Sequence, residues 1–137
     1  MKQRIQIFIA FTWIILLSCN TDRKSCIESG NCIMGTWVDP EYSDNTIVFT
    51  KNDELKENSY GITFKKGGSF IERKNSGWCG TPPISYADFN GSWEENNSVI
   101  NISVPYWGGT TESEWEIISL NSHNLKIKII NEIYNQE

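Results

Sequence analysis

Apolar and polar residues alternate along the chain from Met34 onward. In the segment VINISV, Ile100, Ile102 and Val104 fall on one face, and the same spacing recurs in TIVFT, YGITF and NLKIKII. A period of two residues is typical of strands that turn one face to a core and the other to water. No segment of this region has the 3.6-residue period of an amphipathic helix, so the pattern predicts an all-β domain without a major helix.

Polar segments that contain Gly or Asn separate the alternating runs, at residues 65–68, 94–97 and 121–124. Gly and Asn accept the positive φ of hairpin turns, so these segments predict antiparallel neighbours. Eight successive runs predict an up-and-down meander, and closure into a barrel removes its exposed edges. The predicted strands span residues 35–39, 46–50, 60–65, 69–74, 90–95, 98–104, 112–119 and 124–131.

The N-terminal segment has the organisation of an export signal. Lys2 and Arg4 precede an apolar run at residues 5–17, and a small residue and a cysteine follow it. The run is shorter than the roughly 20 apolar residues that a membrane-spanning helix needs. We therefore expect a signal peptide at residues 1–18.

The segment LLSC, which ends at Cys19, resembles the lipobox of bacterial lipoproteins, in which the cysteine is diacylated and the chain is cut before it. The resemblance implies a lipidated Cys19 and a membrane partner reached through acyl chains, two of which anchor a protein stably. Some Bacteroidota lipoproteins carry an acidic surface-export cluster after this cysteine, but here Asp22 is followed by Arg23 and Lys24. The expected location is therefore the cell envelope, at the outer membrane facing the periplasm.

Loss of residues 1–18 removes Lys2 and Arg4 but no acid, which changes the formal net charge from −5 to −7. Scattered Lys in an acidic chain argues against nucleic acid, which requires a clustered basic face. The length suits one domain with a single core, and we expect a monomer. The predicted divisions of the mature chain are a polar tether at 19–33, a barrel at 34–131 and a tail at 132–137.

Beyond Cys19 the chain contains Cys26, Cys32 and Cys79. An exported chain meets an oxidising compartment, which favours a disulfide over a metal site. The single histidine, His123, lies in the turn segment NSHN and is a poor fourth ligand. We expect neither a metal nor a cofactor.

The triplet GTW at residues 35–37 looks like the Gly-x-Trp signature that opens lipocalins. Together with the hairpin GITFKKGGSF, the GSW at 91–93 and the segment WEIISLNSHNLKIK, it makes most of residues 34–131 resemble the short lipocalin-like lipoproteins of Bacteroidota. The resemblance implies an eight-stranded up-and-down barrel that holds a small apolar ligand.

Larger lipocalins also stack an arginine from a late strand over the signature tryptophan. The last arginine here is Arg73, so Lys126 or Lys128 is left to cover Trp37. Large aromatic residues dominate barrel interiors. The tryptophans on predicted strands, which we expect in the core, are Trp37, Trp93 and Trp115.

In a meander, strand direction assigns every connection to one end of the barrel. The long connections then share the end at which the first strand begins. Cys32 and Cys79 meet there, which predicts a Cys32–Cys79 disulfide, with a local Cys26–Cys32 bond as the alternative. The long connections span residues 51–59, 75–89 and 105–111.

The predicted ligand-binding residues are Trp78, Tyr86, Tyr106 and Trp107, which all lie in these connections. Their rings form either a plug in the barrel or a contact surface. We expect Trp78 to be packed as a plug beside Cys79, and Trp107 to be partly exposed beside two glycines.

Two functions from different classes follow. The first is a lipid-anchored binding protein for a small apolar or amphipathic ligand. The second is an interaction module that docks a protein or glycan through its aromatic loops on a filled barrel. An open cavity of several hundred cubic ångströms distinguishes the first. No His stands beside a Ser or Cys to activate a nucleophile, so we expect no enzyme.

Overall fold

A computed structural model of the chain describes residues 32–136, which form eight strands closed into one antiparallel barrel. The predicted all-β barrel is confirmed. The described part contains no helix of the length and apolarity needed to cross a membrane. The predicted signal peptide, the lipidated Cys19 and most of the predicted tether lie outside the described residues. The strands are β1 (Gly35–Ser43), β2 (Thr46–Asn52), β3 (Gly61–Phe64), β4 (Ser69–Asn75), β5 (Tyr86–Asn96), β6 (Val99–Tyr106), β7 (Gly109–Leu120) and β8 (Asn124–Gln136).

The strands follow the order β1, β2, β8, β7, β6, β5, β4, β3 around the barrel, and β3 closes the ring against β1. Every connection joins neighbouring strands except the one from β2 to β3. β1 lies between these two, since Trp37 is paired with Lys51 of β2 on one side and with Ile62 of β3 on the other. β2 and β3 therefore run in the same direction, and the chain must cross β1 to join them.

The crossing segment, residues 53–60, lies against the outer face of β1. A Cβ atom on Gly61 would stand 2.8 Å from Leu55 Cδ2 and 3.2 Å from Val38 Cγ1, so the absence of a side chain there makes room for the crossing. The outward-facing Arg73 donates hydrogen bonds to the backbone carbonyls of Leu55 and Lys56, at 3.2 and 3.1 Å. These contacts satisfy backbone groups that no strand partner reaches.

This crossing reverses the end of the barrel at which each later connection lies. The end where β1 begins, here called the N-terminal end, carries the connections at 65–68, 97–98 and 121–123. The opposite end carries those at 44–45, 76–85 and 107–108, and is called the aromatic end. The predicted clustering of the aromatic loops is correct, but their expected position beside the start of the first strand is wrong, because a simple meander lacks the crossing.

The predicted Cys32–Cys79 disulfide is also wrong, for the same reason. Cys32 precedes β1 at the N-terminal end, whereas Cys79 lies in the 76–85 connection at the aromatic end. Cys79 is exposed and carries a free thiol, and Cys32 is disulfide-bonded, so its partner is another residue. The alternative partner, Cys26, lies outside the described residues.

The N-terminal half of the barrel is filled. Trp37 is fully buried, and its indole N–H donates to the carbonyl of Ile33 at 2.7 Å. Ile33, which was assigned to the tether, is itself a member of the core. The predicted core positions of Trp37 and Trp115 are confirmed, and Trp93 is partly buried against the same cluster. This packing closes the N-terminal end.

Lys51 of β2 covers Trp37, in place of Lys126 or Lys128. Its ammonium lies 4.1 Å from the ring centroid of Trp37 and donates to the carbonyl of Met34. Burial lowers the pKa of Lys51, because the charged form loses water. Lys126 lies opposite Val48, between the inward-facing Leu125 and Ile127, and so points outward.

Replacing Lys51 should therefore weaken the closed end. Lys51→Met keeps the apolar stem but removes the cation and its hydrogen bond, and we expect the free energy of unfolding in urea to fall by about 1 kcal/mol, since desolvation offsets part of the gain. The matched control, Lys126→Met, should stay within about 0.5 kcal/mol of the parent. A larger loss in the control than in Lys51→Met would refute this assignment.

Candidate functional site

The aromatic end opens into a cavity of about 460 Å³ inside the barrel. Its floor contains Phe70 and Trp115, whose rings meet edge to face at 6.3 Å between centroids. Trp115 also stacks on the buried Phe49, at 6.4 Å and an interplanar angle of 14°. The inward-facing positions of β2, β6 and β8 supply apolar walls, namely Ile47, Ile102, Val104 and Ile129.

The rim of the cavity is aromatic and solvent-exposed. Trp78 is 79% exposed and Trp107 is 60% exposed, while Tyr106 is half-buried between its neighbours. The ring of Tyr106 meets those of Trp107 and Tyr134 edge to face, each at 5.6 Å between centroids. Edge-to-face contacts fix the rings relative to one another, so this side of the rim is ordered by its own side chains.

Of the four predicted ligand-binding residues, Trp78, Tyr106 and Trp107 line this cavity. Tyr86 does not, because it stands on the outward-facing register of β5 and lines a separate groove beside Arg73. The expectation that Trp78 is packed as a plug is wrong, since most of its surface is in solvent. The expected exposure of Trp107 agrees with the structure.

A polar cluster lies between the filled and the open halves of the barrel. The Tyr60 hydroxyl donates to Glu72 Oε1 at 2.7 Å, and the Lys74 ammonium lies 2.6 Å from Glu72 Oε2. Burial raises the pKa of Tyr60 well above its usual range, and the neighbouring Glu72 charge raises it further. Both oxygens of this carboxylate are thus occupied by donors, which is what a carboxylate inside a barrel requires.

Two further lining residues, Glu132 and Tyr134, come from a part of the chain that was assigned to the tail. β8 continues to Gln136, and its pairing with β7 shifts between Glu114 and Trp115, which leaves Ile130 as an extra residue. This bulge turns Glu132 and Tyr134 toward the interior, opposite the buried Ser113 and Thr111. Bulges of this kind commonly re-aim side chains at the rim of a barrel.

Glu132 is held near the rim by its neighbour. The Tyr134 hydroxyl donates to Glu132 Oε2 at 2.9 Å. The pKa of Tyr134 is raised by burial first and then by this carboxylate. Glu132 forms no ion pair with any residue in the part of the chain that the structure describes. The lining therefore holds two carboxylates, Glu72 and Glu132, against one ammonium, Lys74.

The floor also offers one unused donor. The indole N–H of Trp115 is buried and has no hydrogen-bond partner among residues 32–136. A buried donor without a partner carries a desolvation cost, which a polar ligand atom or a water molecule would relieve. Across the same residues, no group of three His, Cys, Asp or Glu side chains is arranged to hold a metal ion.

Comparisons of the chain with protein-family models, with curated proteins and with solved structures found no match.

The two Tyr-to-Glu hydrogen bonds differ in burial, and this difference is testable. Tyr60→Phe leaves one oxygen of the enclosed Glu72 without its donor, and we expect the free energy of unfolding in urea to fall by about 1–2 kcal/mol. Tyr134→Phe removes the equivalent bond at the exposed rim and should cost less than about 0.5 kcal/mol. Equal losses in the two variants would show that the Glu72 cluster is not a special feature of the interior.

Proposed function

We propose that this chain is a lipid-anchored, non-catalytic binding protein of the lipocalin-like type, which takes a small apolar or amphipathic ligand into the cavity at its aromatic end. The observation that carries the proposal is the open cavity of about 460 Å³ above a filled base. This volume falls within the roughly 300–1,000 Å³ that is typical of ligand sites. Apolar walls with a few polar groups are the usual lining of such sites.

The position of the mouth supports an anchored carrier. β1 begins at the N-terminal end of the barrel, and the mouth lies at the opposite end. Acyl chains on Cys19 would hold the N-terminal end nearest the membrane, at the periplasmic side of the outer membrane in this proposal. The mouth would then face away from the bilayer and stay accessible to a dissolved ligand or a partner.

The anchor is tested by partition between detergent and aqueous phases. We expect the exported wild-type chain to enter the detergent phase, because two or more acyl chains bind membranes stably. Cys19→Ser removes the acylated thiol and should move the chain to the aqueous phase or leave it unprocessed. Cys79→Ser is the matched control and should partition like the parent. A wild-type chain found in the aqueous phase would contradict the anchor.

The cavity is tested with N-phenyl-1-naphthylamine, an uncharged apolar probe whose fluorescence rises when it leaves water. The mature chain, residues 19–137 carrying Cys19→Ser, should bind it without interference from acyl chains or from the apolar run at residues 5–17. Ser113→Leu fills space at the buried wall and should weaken binding about tenfold or more, because the ligand and the new side chain compete for one volume. Ser103→Leu, on the outward-facing register of β6, should leave the affinity for the probe unchanged. An unchanged affinity in Ser113→Leu would contradict binding inside the barrel.

A second candidate function is favoured by the exposure of Trp78 and Trp107 at the rim. Exposed aromatic rings are frequent anchors of protein and glycan contacts. In this case Trp78→Ala and Trp107→Ala would abolish retention on a glycan or protein surface, while the naphthylamine affinity of Ser113→Leu would equal that of the parent. The two functions therefore give opposite patterns across the same variants.

A further inference from the structure

The charges that line the cavity are unequal, and their pairing decides which ligand charge the site accepts. Lys74 is the lining cation, and its ammonium is already engaged with Glu72 at 2.6 Å. The second oxygen of Glu72 accepts from Tyr60. Glu132 has no cationic partner among the described residues. An anionic head group would thus enter a lining in which two carboxylates stand against one ammonium, and would meet a carboxylate that no cation compensates.

The rings beside Glu132 complement a cation in a second way. Tyr134 is hydrogen-bonded to Glu132, its ring meets Tyr106 edge to face, and Tyr106 meets Trp107 in the same manner. Aromatic faces attract ammonium groups placed within about 6 Å of the ring centroid. A carboxylate that is hydrogen-bonded to one member of an exposed aromatic cluster is a combination that favours ammonium groups over neutral or anionic ones.

The part of the cavity below Glu132 and the rim determines which non-ionic group the ligand carries. Ile102, Val104 and Ile129 form apolar walls beneath the rim, and Phe70 with Trp115 forms the floor. An apolar chain or ring fills this part, because burial of apolar surface contributes about 25 cal/mol for each Å² removed from water. The rim of the site thus offers a carboxylate and aromatic rings, and apolar walls lie below it beside the paired Glu72 and Lys74.

We propose that the ligand is an amphipathic cation, whose ammonium group lies beside Glu132 among the rings of Tyr106, Trp107 and Tyr134 while its apolar part occupies the cavity. This inference rests on the proposed function and deepens it by naming the ligand class. It also excludes fatty-acid anions as preferred ligands, since their carboxylate would approach Glu132.

The experiment compares three ligands that share a ten-carbon chain: decyltrimethylammonium, decanol and decanoate. The mature chain carrying Cys19→Ser is titrated with each ligand, and the displacement of N-phenyl-1-naphthylamine is measured. We expect decyltrimethylammonium to bind about fivefold or more tightly than decanol, and decanoate to bind more weakly than decanol. Glu132→Gln keeps an acceptor for Tyr134 but removes the charge, and should reduce the preference for the cation to near one.

Glu112→Gln is the matched control, because it removes the same charge from the outward-facing register of β7. It should leave the cation preference intact. Tyr106→Leu gives a second readout, since leucine keeps apolar area but has no ring face. We expect it to weaken decyltrimethylammonium more than decanol.

The outcomes separate this inference from the proposed function. Displacement by all three ligands with equal affinity, or tighter binding of decanoate, would overturn the inference and leave the cavity function standing. A cation preference that Glu132→Gln and Glu112→Gln reduce equally would assign it to overall charge and would also overturn the inference. If the chain binds neither the naphthylamine nor any decyl ligand, the proposed function and the inference both fail.

Discussion

The packing of residues 53–60 across β1 is the constraint on which the arrangement of this molecule depends. It requires a position without a side chain, Gly61, under Leu55, and an arginine, Arg73, to satisfy the carbonyls of the crossing segment. With β1 placed between β2 and β3, the connections after β4 and β6, which carry Trp78 and Trp107, lie at the end opposite Trp37. A strict meander would place them beside Trp37, over a base that is already filled. The crossing therefore separates the packed base from the open mouth.

The strands and the core of the filled half were predicted well from the sequence. Where the interior is packed, the apolar residues of an alternating strand are the ones that face it. Ile100, Leu125 and Ile127 are inward and buried, as their spacing indicates. The order of the strands is harder to predict than their positions. A connection of eight residues has the same composition whether it turns back as a hairpin or crosses a neighbouring strand. The Cys32–Cys79 disulfide was predicted wrongly for the same reason, because that prediction depended only on the end of the barrel to which each loop was assigned.

The site was predicted less completely than the fold, and the reason is physical. Three aromatic residues of the rim were identified from loop composition, but Glu132 and Tyr134 were not, since β8 was expected to end at residue 131. Near the mouth the inward-facing positions are polar and Ile133 faces outward, which reverses the usual pattern. Alternation cannot identify the interior face where the interior is a cavity. The bulge at Ile130 also shifts the pairing of β8 with β7, and the residue types in this segment do not predict such a bulge.

Polar side chains enter the lining of the open half at its boundary with the packed half. Phe49 and Trp115 complete the packed half, and the next layer contains Glu72, Lys74 and Tyr60 in place of apolar side chains. Charged groups this close to a packed core are tolerated only when their partners are present, and here each oxygen of Glu72 has one. Lys74 is paired with Glu72, whereas Glu132 has no ion-pair partner among the described residues. Two carboxylates against one ammonium leave the lining with a net negative charge, and the unpaired carboxylate accepts a hydrogen bond from Tyr134, whose ring contacts Tyr106 at the mouth.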